Sequence, residues 1–147
     1  MENLKKLVQD ARYEEAYNGM AHMALDERWD FISTDMYDEE PLVTYTFLLY
    51  MVSQDINEAE CHFYCYLFLA YLHPFFDDAM RLAMWHLKCA IALQPDSLEY
   101  KKQVISIGFT YPVHYFEDEE YRRYSKDVLD EEPGNVDAKE ALRKLGG

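Results

Sequence analysis

The reading of the fold starts from residues 77–97, Asp-Asp-Ala-Met-Arg-Leu-Ala-Met-Trp-His-Leu-Lys-Cys-Ala-Ile-Ala-Leu-Gln-Pro-Asp-Ser. Met80, Ala83, Met84, Leu87, Ala90 and Ile91 recur at three- and four-residue spacing, which places them on one face of a helix. Asp77 and Asp78 favour the positive N-terminal end, and Pro95-Asp96-Ser97 stops this helix and caps the next. The remaining apolar residues, Leu82, Trp85, Cys89 and Leu93, lie behind that face and predict a helix sandwiched between neighbours.

The same punctuation recurs along the chain. Pro74 and Pro95 are 21 residues apart, as are Pro112 and Pro133, and the two pairs are offset by 38. Sliding the chain by 38 residues sets Leu67 on Ile105, Leu69 on Ile107, Ala70 on Gly108, Tyr71 on Phe109, Ala90 on Val128, Ile91 on Leu129, Ser97 on Asn135 and Leu98 on Val136. Apolar falls on apolar, the mark of an internal repeat, and the match breaks at Leu87 over Ser125 and at Leu93 over Glu131. Helices are predicted at Leu4–Asp10, Tyr13–Glu27, Pro41–Ser53, 57–72 with Asn57 as N-cap, 77–93, 97–109, 117–132 and 136–145. These are about eight helices, and no strand-like alternation competes with them.

The run from Asp78 through Ala83, Leu87, Ala90 and Ile91 to Leu93-Gln94-Pro95-Asp96 resembles the second helix of a tetratricopeptide repeat with its closing proline. Counting back from Pro95, Ala83 and Ala90 sit on that family's two small-residue positions. Val128-Leu129 to Pro133-Gly134-Asn135 is similar to the end of a following repeat. The resemblance covers about residues 60–145. It departs from the family in its 38-residue spacing, against the usual ~34, in Tyr121 where a small residue is expected, and in Pro74 within the turn. It implies an all-α architecture of stacked antiparallel helix pairs, a TPR-like α-solenoid with a protein-binding groove. The expected organisation is one helical-repeat domain over 1–147: divergent N-terminal helices at 1–56, repeats at 57–95 and 96–133, and a capping helix at 134–147.

Length and composition agree with a packed domain. A chain of 147 residues buries roughly 68–70% of its unfolded surface and needs no metal or disulfide to fold. Half of it is hydrophobic and 16% aromatic, far from the disordered class. Fourteen basic residues against 28 acidic leave a net charge of -14, which repels nucleic-acid phosphates and anionic membranes. The most apolar run, Phe63 to Leu72, is ten residues, short of the ~20 needed to span a membrane. The first residues lack a signal-peptide apolar stretch, and three cysteines within apolar helical patterns read as reduced thiols. A cytoplasmic protein is expected.

Chemistry is sparse. Cys61 and Cys65 lie one turn apart on one helix, and His86 and Cys89 lie three apart on the next, a donor set of the kind zinc takes. Cys61 and Cys65 nevertheless share a face with Phe68 and Leu72, as buried free thiols do, so no metal and no cofactor is expected. His22, His62, His73 and His114 are isolated and read as solvated. With only Gly19, Gly108 and Gly134 inside the chain, no phosphate loop or nucleophile turn exists, and no catalytic residue is expected. The acidic clusters Asp38-Glu39-Glu40, Glu117–Glu120 and Asp130-Glu131-Glu132 fall at helix ends, where dipole complementarity is their first explanation.

Dipole complementarity does not explain where the charge lies. Residues 1–78 hold 16 acidic and 4 basic residues, whereas 79–147 hold 12 and 10. From Tyr13 to Met80 the only basic residue is Arg28. Trp29, Asp30, Asp35, Tyr37, Asp38, Glu39 and Glu40 gather in a stretch, 29–40, that reads as irregular. Aromatic anchors beside steering carboxylates suit recognition of a protein with a basic surface. The expected function is therefore non-catalytic: an acidic inhibitor or immunity-type protein that neutralises a basic toxin or nuclease, with a TPR-like adaptor or chaperone for a secretion or regulatory complex as one alternative and a Cys/His metal-binding protein as another.

Overall fold

In a computed structural model that describes residues 2–108 and 115–146, the described residues form α-helices and two π-turns, with no strand among them. Phe109, Pro112 and His114 lie outside the described residues. The chain divides into two compact units, residues 1–93 and 94–147, with the boundary beside Pro95.

The first unit contains α1 (Glu2–Gln9), α2 (Tyr13–Met20), α3 (Leu25–Asp30), α4 (Pro41–Gln54), α5 (Glu58–Leu67) and α6 (Ala79–Leu93). A π-turn, Phe31–Asp35, continues α3, and another, Phe68–Leu72, continues α5 and ends just before His73-Pro74. Helix α5 packs against both α4 and α6, and α1 lies on α2 and α4. Met20, Phe31, Phe47, Met51, Tyr66, Phe68, Leu69 and Leu87 are fully buried there. Leu87, Ala83, Ala90 and Ile91 all turn inward, as their spacing predicts. The sandwiched α6 does not hold: Leu82, Trp85 and Leu93 are 39–55% exposed, because α6 covers α5 with one face only.

Three local expectations are corrected. The single helix over Tyr13–Glu27 is broken at residues 21–24, because the Arg28 guanidinium donates hydrogen bonds to the carbonyls of Ala21 and Met23 and holds the break open. The stretch 29–40 is not irregular but begins as α3 and its π-turn. Asn57 makes no side-chain cap; its own amide instead donates to Asp55 Oδ1 at 2.8 Å. Between α1 and α2 the chain reverses through Ala11 at φ 57°, with Arg12 N–H bonded to Leu7 O and Ala11 N–H to Val8 O. This is a Schellman closure that carries alanine where glycine is favoured.

The second unit contains α7 (Leu98–Gly108), α8 (Asp118–Glu131) and α9 (Val136–Lys144). Tyr100, Val104, Tyr121, Val128, Ala138 and Ala141 form its core, so Tyr121 is a buried packing residue. Ser97 accepts the Tyr100 amide at the start of α7, and Asn135 accepts the Ala138 amide at 2.9 Å at the start of α9. Glu117 and Glu120 form a reciprocal capping box on α8. The dipole explanation fails at the other end of that helix, where Asp130, Glu131 and Glu132 face its negative pole; Lys102 offsets Glu132 at 2.6 Å.

Candidate functional site

Arg28 decides the surface of the first unit. Its side chain is buried, with Nη1 2.5 Å from Asp55 Oδ2, and Tyr17 donates to the same oxygen at 2.8 Å. Burial by itself raises the Asp55 pKa, but the Asn57 amide, Arg28 and Tyr17 outweigh it and leave the carboxylate below its ordinary range. The one cation of the span Tyr13–Met80 is thus withdrawn from solvent, while Asp26, Glu27, Asp30, Asp38 and Glu40 remain exposed.

Helices α1, α2 and α3 with the π-turn that continues it line an open cleft of ≈ 770 Å³. Glu27, Asp30, Phe31, Thr34 and Asp35 line it from α3 and its π-turn, and Leu4 of α1, Gly19 of α2, and His22 and Met23 of the break after α2 complete the lining. Leu4, Met23 and Phe31 are its apolar lining, Glu27, Asp30 and Asp35 its carboxylates, and among the described residues no lysine or arginine lines it. Gly19 has a packing reason: a Cβ there would stand 2.8 Å from Leu4 Cδ2, so the glycine lets α1 settle onto α2.

The structure brings together only part of the residue set expected from sequence. Asp30 and Asp35 line the cleft. Glu39 pairs with Lys5 at 3.0 Å, and Asp38 and Glu40 lie on the turn leading into α4. Trp29 faces away from the cleft and stacks on Tyr64 at 5.5 Å, and Tyr37, 48% exposed, stacks on His73 at 5.7 Å. Glu27, Phe31, Thr34 and the α1–α2 residues were missed. The signal for the wall was present, since positions 27, 30, 31, 34 and 35 have the spacing of one helical face.

The cysteine and histidine set resolves differently. His86 is not a ligand beside thiolates but a core residue: Tyr45 Oη lies 2.8 Å from its Nε2, and His62 Nδ1 lies 2.9 Å from its Nδ1. His62, expected to be solvated, is buried, with Nε2 3.7 Å from Glu58. One tautomer set gives each ring nitrogen a partner: Tyr45 donates to His86 Nε2, His86 Nδ1–H donates to His62 Nδ1, and His62 Nε2–H faces Glu58. Burial, then the neighbouring His62, pushes the His86 pKa down to about 3, and burial lowers that of His62 against the pull of Glu58. Burial raises the thiols of Cys61, Cys65 and Cys89, which keeps them protonated at neutral pH. Among the described residues no three His, Cys, Asp or Glu side chains are grouped to hold a metal, so the Cys61/Cys65/His86/Cys89 set is set aside.

Among the described residues no helix is long and apolar enough to cross a membrane. Compared with protein-family models, curated proteins and solved structures, the chain matches none.

Proposed function

We propose that this protein is a non-catalytic binding module, an acidic inhibitor of the immunity type that engages and neutralises a cationic protein such as a basic toxin or nuclease in the cytoplasm. The observation that carries this reading is the withdrawal of Arg28 onto Asp55, which leaves the surface between Tyr13 and Met80 with carboxylates and no exposed cation of its own. A field of one sign accelerates encounter with an oppositely charged partner and discriminates against nucleic acid and anionic lipid.

The test is capture of a partner by the full chain at low salt, followed by surface plasmon resonance. Association is expected to slow as salt rises, because exposed charges are screened over ~10 Å at 0.1 M. Replacing Asp35, Asp38, Glu39 and Glu40 by amides slows association, and Tyr37→Ala speeds dissociation. Amides at Glu131 and Glu132 change little. Equal effects from both acidic sets, or an acidic partner, refute the reading.

The second reading, a tetratricopeptide-like adaptor or chaperone, draws support from helix spacing. Helix α6 ends at Leu93 and α8 at Glu131, the same 38-residue offset as the prolines that follow them. A gene for a basic toxin beside this one favours inhibition, and a secretion operon favours the adaptor.

A further inference from the structure

The surface charge names a kind of partner without naming what part of it is gripped, and the cleft narrows that. Its lining sets the apolar Leu4 and Met23 beside three carboxylates, Glu27, Asp30 and Asp35. We propose that the cleft seats an arginine side chain flanked by apolar residues on a basic segment of the partner protein, with the stem over Leu4 and Met23 and the guanidinium among those carboxylates. The proposal rests on the binding-module reading above.

Two observations favour a cationic side chain with an apolar stem. The first is the sign: among the described residues no lysine or arginine lines the cleft beside its three carboxylates. The second is an internal example beside it. Helix α1 places Leu4 in the cleft and the neighbouring Lys5 on the acidic turn, with Nζ 3.0 Å from Glu39. The Lys5 amine is held charged first by its hydrogen bond to Glu39 and further by Asp35 and Asp38. The chain therefore already seats one ammonium against this edge, and Asp35 is shared between that ammonium and the cleft. Arginine suits the cleft better than lysine because its planar, weakly hydrated fork bonds several carboxylate oxygens at once.

The experiment uses the full chain and two blocked octapeptides, one with Leu-Arg-Leu at its centre and one with citrulline for arginine, followed by NMR at low salt. The arginine peptide is expected to bind with shifts confined to residues 4–35, and the citrulline peptide, equal in shape but uncharged, about tenfold more weakly. Asp30→Asn with Asp35→Asn weakens the arginine peptide by about tenfold, whereas Lys5→Met, which removes the competing ammonium, strengthens it by about threefold. Unchanged binding by the double variant, or shifts centred elsewhere, overturns the cleft assignment. Spermidine binding as tightly as the arginine peptide also overturns it, because the apolar flanks would then contribute nothing. If a captured cationic partner still binds the double variant in a salt-dependent way, the cleft falls and the acidic binding module stands. If no cationic partner associates, the module reading falls while the peptides still judge the cleft.

Discussion

The two units differ in how far their charge is balanced. The first carries sixteen acidic against six basic residues and buries a cation, Arg28, in its core. The second carries twelve against eight and pairs four of its cations within the unit: the buried Lys101 with Asp127 at 2.9 Å, Lys102 with Glu132, Arg122 with Glu119 and Arg143 with Glu140. Both solutions let a helical core close. The first keeps an excess of ten acidic residues, against four in the second, and three of its carboxylates line the cleft.

The comparison breaks most readily at Arg28. Both tryptophans, Trp29 and Trp85, lie in the first unit, so their fluorescence during urea unfolding reads that unit alone. Arg28→Met is expected to cost ~3–5 kcal/mol, because it strands the buried Asp55 and frees the carbonyls of Ala21 and Met23. A loss under about 1 kcal/mol would mean that water reaches Asp55 readily. Leu87→Ala, at a fully buried position of α6, is expected to cost ~2–5 kcal/mol by the same measurement.

Acid separates the units next. His86 binds a proton less readily folded, at about 3, than unfolded, near 6.5, so below that ordinary value the unfolded state holds more protons. The stability that the neutral Tyr45–His86–His62 chain contributes is therefore complete above about pH 6.5 and is lost progressively as the pH falls toward 3. Urea midpoints from tryptophan fluorescence should fall between pH 7 and 5 in the natural chain and fall less steeply in His86→Gln, where buried His62 still titrates. An unchanged slope would show that His86 is not the titrating group.

The smallest effects concern a turn and a surface pair. Ala11→Gly relieves a left-handed alanine and should raise the stability of the first unit by up to ~1 kcal/mol, seen as a higher melting temperature. Lys102→Met removes a half-exposed ion pair of the second unit and should change stability by no more than ~1 kcal/mol, read by circular dichroism. A larger loss would place that pair among the determinants of the second unit's core.

Sequence alone determined the helices that end on a local signal. Pro95 and Pro133 follow the last residues of α6 and α8 closely, Pro41 opens α4, and Asn135 caps α9 with its own side chain. Periodicity likewise assigned Ala83, Leu87, Ala90 and Ile91 to the core, since burial of one helical face leaves a mark every three or four residues. Asp30 and Asp35, singled out from the acidic stretch 29–40, line the cleft proposed as a site. What tertiary structure decided was every feature whose partner is distant in the chain. The break between α2 and α3 depends on Arg28, which is held by Asp55, 27 residues away. The pairing of His62 with His86 spans 24 residues, and the cleft needs Leu4 and Gly19 to close against the wall of α3. Local propensity weighs a residue against its neighbours within a few turns, whereas a buried polar group is stable only where folding delivers its partner.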